Sequence, residues 1–281
     1  AVFYDDDSDG MLDRHSPLQL EIFTARLYAD VQTLTTYFER VNEFRRSGPL
    51  LEPTALVFID DDWSHLARYY SLDSIYQSVN LVADPDETSR ERYIELLTHE
   101  GYEFVLQMMH STSSILFFEG EGSGSLHAES IRALDLRCSF VHMWNCYVTR
   151  FPEENDLGSI FALENEHGLA VIGSTKKGAV RPIEALHGNL ARSQSLGTAF
   201  QAWYNTFGHE NDEWSLGILL IGDPMLTVWG DVTGMTALQL PVLEHPEETE
   251  RLEQILIDTP VPRDLGTFED YRRDHPEFFP E

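Results

Sequence analysis

Five strongly apolar stretches recur along the 281 residues: ALVFID (55–60), YEFVLQMMH (102–110), LRCSFVHMW (136–144), GLAVIGST (168–175) and ILLIGDPMLTVW (218–229). Segments with helical periodicity separate them. Over 30–47, Val31, Leu34, Tyr37, Phe38, Val41 and Phe44 fall at helical spacing. SRERYIELLTHEG (89–101) reads as a helix stopped by Gly101, and SLHAESIRAL (125–134), 157–166 and SLGTAFQAWYNTF (195–207) read as further helices. VFY (2–4) and LEIFTARLYA (20–29) read as additional strands. A strand that is apolar throughout has no face left for water, so it belongs in a sheet covered on both sides. Alternation with helices makes that sheet mostly parallel, and the expected class is an α/β three-layer α-β-α sandwich.

Charge and cysteine content narrow the function. A net charge of −29 argues against nucleic acid as a partner, because phosphate binding needs clustered Lys and Arg. There are two cysteines, Cys138 and Cys146, too few for a disulfide-built scaffold. No apolar run reaches the length of a membrane span. The chain opens at Ala1 without a basic, apolar leader, and this start is expected to be a processed or trimmed end. Residues 233–281 are acidic and proline-containing and read as an appendage.

In open parallel sheets, sites form beyond the carboxyl ends of the strands. Those ends carry Asp60, Asp61 and Asp62, then His110-Ser111, then Asn145-Cys146, then Gly173-Ser174-Thr175. A cysteine in an apolar segment ordinarily packs inertly, and mid-strand Cys138 and His142 are assigned to the core. Cys146 differs because it follows its strand, and His110 ends another just before an STSS and EGEGSGS loop. An imidazole beside a thiol in a partly open cleft is what nucleophilic thiol catalysis requires. An acid on a neighbouring strand end would orient the imidazole. The residues alone leave the choice among Asp60, Asp61 and Asp62 open.

The order of segments resembles the gingipain-like cysteine peptidases, relatives of caspases and legumains. EIFTARLYA (21–29) before a long helix, FVLQMMHS (104–111), FVHMWNCYVTRF (140–151), AVIGST (170–175), SLGTAFQAWY and LLIGDPML (219–226) carry the resemblance. It implies a caspase-like fold in which 1–50 ends an N-terminal subdomain and 51–232 forms the catalytic one. It also implies an endopeptidase acting on proteins or peptides, with no organic cofactor, secreted or displayed at the cell surface. Cys146 would be the nucleophile and His110 its acid–base partner. The backbone N–H groups of Ser111 and Cys146 would form the oxyanion hole. The family usually has glycine after the histidine, so Ser111 is a departure. It matters if that position needs a left-handed backbone, and a catalytically decayed scaffold is the corresponding alternative.

Asp5, Asp7, Asp9 and Asp13 surround Gly10 at the spacing of a calcium loop, though Ser16 stands where an EF-hand places its glutamate. The family resemblance supports structural calcium there. No Cys/His set has zinc spacing. The resemblance implies a preference for basic residues before the cut, with specificity pockets in the loops after the cysteine strand, where Glu184, Asp212 and Glu213 lie; the alternative is an apolar pocket walled by Trp214 or Trp203. A second enzyme class also fits one motif. Asp60 and Asp62 form a D-x-D after an apolar strand, as in haloacid-dehalogenase-type phosphatases.

Overall fold

The computed structural model describes residues 2–6, 8, 14–69, 72–119, 124–178, 181–208 and 215–230. The strands are β1 (Phe3–Tyr4), β2 (Arg14–His15), β3 (Ala55–Ile59), β4 (Val79–Val82), β5 (Tyr102–Met108), β6 (Ile115–Phe118), β7 (Gly124–His127), β8 (Cys138–Trp144), β9 (Ala170–Ser174) and β10 (Ile218–Gly222). The helices are α1 (Val31–Ser47), α2 (Arg90–Glu95), α3 (Ala128–Arg132), α4 (Leu157–Ser159), α5 (Glu184–Leu190) and α6 (Leu196–Phe207). Wider π-type turns extend α2 through Leu96–Glu100 and α4 through Ile160–Glu164, and a 3-10 segment runs over Asp61–Tyr69.

Six strands form one sheet in the order β10-β9-β8-β5-β3-β4. Its pairs are parallel except β9–β10. Every residue of β3, β5, β8 and β9 is buried, as expected of mainly apolar strands covered on both faces, with Glu103, Gln107, Ser139 and His142 buried among them. Side chains alternate between faces. On one face, Phe104 meets His187 of α5, while His142 and Trp144 pack against Trp203 of α6. On the other, Phe58 packs edge-on to Tyr93 of α2. Helices therefore cover both sides, and the three-layer, mostly parallel architecture expected from the sequence is the one observed.

Capping residues start the longer helices where the sequence signals them. Asp30 accepts from the Gln32 and Thr33 N–H groups at 2.8 and 3.0 Å, and Ser195 accepts from Thr198 N–H at 3.3 Å. Gly222 closes β10 at φ +113, and a Cβ there would meet the Leu169 carbonyl oxygen at 2.4 Å, so only glycine serves.

Two segments depart from the sequence reading. Residues 20–29 are extended but make a single bridge, Arg26 to Ile221, instead of a strand. The segment lies along β10, and its apolar residues Ile22 and Tyr28 are 73% and 59% exposed, so burial does not hold it in register. The expected helix at 125–134 is half strand: β7 pairs antiparallel with β6, and α3 begins at Ala128. The sequence reading also passed over β4, β6 and α5. Residues 233–281, read as an appendage, lie outside the described residues.

Candidate active site

Because β3, β5, β8 and β9 are parallel, their carboxyl ends open on one edge. Met108 pairs with Trp144 across β5 and β8. His110 and Cys146 each lie two residues beyond that pair, so the two backbones leave the sheet side by side, one strand spacing of about 5 Å apart. The Ser111 hydroxyl ties the two ends together, donating to the Cys146 carbonyl at 2.6 Å.

A buried polar chain fixes this edge. Tyr93 Oη donates to Gln107 Oε1 at 2.6 Å, Gln107 Nε2 donates to Asn145 Oδ1 at 3.1 Å, and Asn145 Nδ2 donates to the Met109 carbonyl at 2.9 Å. It joins a helix, a strand interior and both site loops. Fully paired buried polar groups of this kind specify one arrangement, since each broken link leaves an unsatisfied atom.

Cys146 as a residue is half-buried, and the Gly178 N–H points to its sulfur at 3.4 Å. Burial pushes the thiol above its ordinary range, while the Gly178 N–H and the positive charge of Lys177 pull it back. The segment after β9 is held there by backbone bonds, Tyr147 N–H to the Lys176 carbonyl at 2.8 Å and Thr149 N–H to that of Ser174 at 3.2 Å. Tyr147 itself sits at φ 61, the left-handed region, and turns the chain sharply after the cysteine.

His110 is 7% exposed and packs against Trp63 with ring centroids 4.4 Å apart. Its Nε2 lies 3.1 Å from Asp62 Oδ2. That bond is the main reason the Asp62 carboxyl sits below its usual range. Among the three aspartates left open by the sequence, Asp62 is the one paired with His110. Asp60 is 1% exposed and accepts instead from the Glu119 N–H at 3.0 Å. Burial raises its pKa to about 6. With one oxygen so bonded and the other enclosed, Asp60 presents no nucleophile to a phosphoryl group, and the phosphatase alternative loses its attacking residue.

Ser111 pairs with Leu116 in an antiparallel bridge and is not among the residues at positive φ. Serine therefore stands in the place of the family's glycine without backbone strain. Cys138 is fully buried, its thiol pushed up to about 12, and His142 is buried against Trp144 and Trp203; both are core, as expected. Trp203 is also core, with 0% exposure and its Nε1 donating to the Pro182 carbonyl, and so does not wall an open pocket. Glu184 is exposed at the first turn of α5. Asp5 is exposed beyond β1; Asp7, Asp9 and Asp13 lie outside the described residues, as do Asp212, Glu213 and Trp214.

Sequence reasoning missed Gly178, Trp63 and the Tyr93–Gln107–Asn145 chain. Asn145 was legible as the neighbour of Cys146. Gly178 carries no signal beyond following a strand end, because its role is a backbone N–H.

Comparison with known proteins bears on the fold and the family. The crystal structure of the Arg-specific cysteine proteinase gingipain R (RGPB) superposes with a TM-score of 0.54 at 12% identity, over 74% of this chain and 56% of that one. The complex of Porphyromonas gingivalis RgpB pro- and mature domains gives 0.52 at 13% identity, over 74% and 57%. The chain thus spans a little over half the length of these proteins, and at such identity the likeness shows the fold. No curated protein sequence matches the chain. The sequence matches Peptidase family C25 over residues 2–229, most of its length. The chain belongs to peptidase family C25, a family of cysteine peptidases.

Proposed function

We propose that the chain is a cysteine endopeptidase in which Cys146 and His110 hydrolyse peptide bonds through an acyl-enzyme. The observation that carries this reading is the register: both residues stand two positions past the Met108–Trp144 pair, with the Gly178 N–H on the sulfur. Burial favours a neutral resting thiol, so His110 takes the proton as the sulfur attacks the scissile carbonyl. His110 then gives that proton to the leaving amine. In the second half, His110 takes a proton from water as its oxygen attacks the thioester carbonyl; the C–S bond breaks, the acid product leaves, and the departing thiolate takes the proton back from His110. Asp62 orients the ring and balances the imidazolium. The backbone N–H groups of Ser111 and Cys146 are assigned to the oxyanion.

A thiol-directed affinity label tests this. One adduct per chain at Cys146, lost in His110→Ala, is expected. No adduct under reducing conditions would mean a decayed scaffold that only binds partners.

The residue before the cut is a finer matter. Glu184, exposed at the start of α5, supports a preference for basic residues. Lys176 and Lys177, the chain's two lysines, oppose it by flanking the Gly178 N–H at the thiol. Peptides differing at that one residue decide between them. Calcium binding by Asp5, Asp7, Asp9 and Asp13 rests on their spacing and is checked by a calcium-dependent rise in Tm that Asp9→Asn abolishes. Secretion or surface display, with proteins outside the cell as substrates, completes the proposal; no helix among the described residues is long and apolar enough to cross a membrane. Fractionation of producing cells checks the location.

A further inference from the structure

Three metal-binding groups that no sequence motif joins meet at the outer edge of the candidate dyad. Asp62 comes from the 3-10 segment after β3, His110 from the end of β5, and Glu119 from the end of β6. One ligand atom from each lies within 4.8 Å of the other two. His110 Nε2 and Asp62 Oδ2 are already 3.1 Å apart. Ligands around a tetrahedral zinc ion, each about 2.0–2.2 Å from the metal, stand about 3.3 Å from one another. The two carboxylates are exposed and can turn to close the remaining gap, while the imidazole is buried and held by Trp63.

A second observation bears on the same place. Asp60, 1% exposed, has one buried carboxylate oxygen with no hydrogen-bond partner, and its other oxygen fixes the Glu119 backbone. A buried acid that anchors the backbone of one ligand and sits two residues from another is the kind of support that orients metal ligands. The donor set also selects the cation. One imidazole and two carboxylates suit zinc and its transition-metal neighbours, whereas calcium asks for six to eight oxygens.

We propose that a divalent transition cation of zinc's type binds Asp62, His110 and Glu119, and that its binding switches the dyad off. In its regulatory half this rests on the peptidase reading. The cation takes the Nε2 lone pair, and any proton there leaves to solvent. A ring held in this way keeps the proton on its other nitrogen and cannot cycle it between thiol and amine. Asp62 is withdrawn from the imidazolium in the same step. A fourth coordination position stays open for water.

The test uses zinc and the full chain. In a Cys146→Ala background, calorimetry should give one zinc per chain, bound at least about tenfold more weakly after Glu119→Gln or His110→Ala. In the chain with Cys146 intact, zinc should inhibit cleavage and a chelator restore it. Glu119→Gln, read against its own zinc-free rate, should need at least about tenfold more zinc. The proposal is overturned if Cys146→Ala abolishes zinc binding, which would place the metal on the thiol, or if Glu119→Gln binds as tightly as its parent. Zinc binding that depends on Glu119 in a chain that cleaves nothing would keep the metal site and remove the peptidase reading instead.

Discussion

Ser111 combines a proposed catalytic role with an observed bond. Its backbone N–H is assigned to the oxyanion, for which glycine would serve as well, but its hydroxyl also bonds the Cys146 carbonyl at 2.6 Å. Ser111→Gly, which restores the usual family residue, removes that link and adds backbone freedom beside His110. It should lower kcat about tenfold while leaving KM nearly unchanged, since positioning is lost and no substrate contact is. Steady-state kinetics on a peptide substrate reads this, and an unchanged kcat would show the link to be incidental. Lys177 acts through charge. It offsets part of the burial that holds the Cys146 thiol up, so Lys177→Ala should move alkylation of Cys146 to higher pH. The rate of iodoacetamide reaction against pH measures the shift, and raised salt should narrow the difference between the two proteins. Gly178 adds a steric condition. A Cβ there would stand 3.0 Å from the Asn145 carbonyl oxygen, so Gly178→Ala should displace the N–H from the sulfur and slow alkylation.

At the level of elements, the strand ends were legible because mainly apolar parallel strands bring their chemistry to solvent at their carboxyl termini. Asp62, His110 and Cys146 all follow from that logic. Elements stabilised by something other than hydrophobic period were not legible. β6 reads ILFF beside the EGEGSGS run, so it looked like the margin of a loop; its partner β7 starts within that run, at Gly124. α5 is short, EALHGNL, with Gly188 inside it, and it holds through burial of Leu186, His187 and Leu190 against its neighbours. The polar chain from Tyr93 to Asn145 was invisible for another reason. Its members stand 14 and 38 residues apart in sequence and meet only through sheet register. That chain is testable as an element-level device. Tyr93→Phe keeps the ring packed on Phe58 but leaves the buried Gln107 oxygen unpaired, and should cost about 1–3 kcal/mol in urea unfolding. Loss of less than a few tenths would mean that water or a neighbour replaces the hydroxyl.

Acidity is the property of the whole molecule that the sequence states most plainly, and its effect on stability runs through buried carboxyls rather than the surface count. Asp156, 4% exposed, caps α4 by accepting from the Ser159 N–H at 3.1 Å, and burial raises its pKa to about 6. Asp60 is raised to about 6 for the same reason. An unfolded aspartate titrates near 3.9. Between about pH 4 and 6 the folded chain therefore holds protons that the unfolded chain has released, and stability falls as pH rises through that window. Asp62 has the opposite sign, being held below its usual range, so its contribution is lost only as pH drops beneath about 4. Relief of self-repulsion in a chain of net charge −29 adds to the gain on mild acidification. Unfolding by urea should therefore give a higher free energy at pH 5 than at pH 7. Asp156→Asn retains a carbonyl oxygen for Ser159 but has no proton to lose, so it should shrink that difference by roughly 1–3 kcal/mol. A variant whose pH dependence runs parallel to the parent would show that Asp156 ionises without cost in the folded chain, and that the acid-side gain comes from the surface alone.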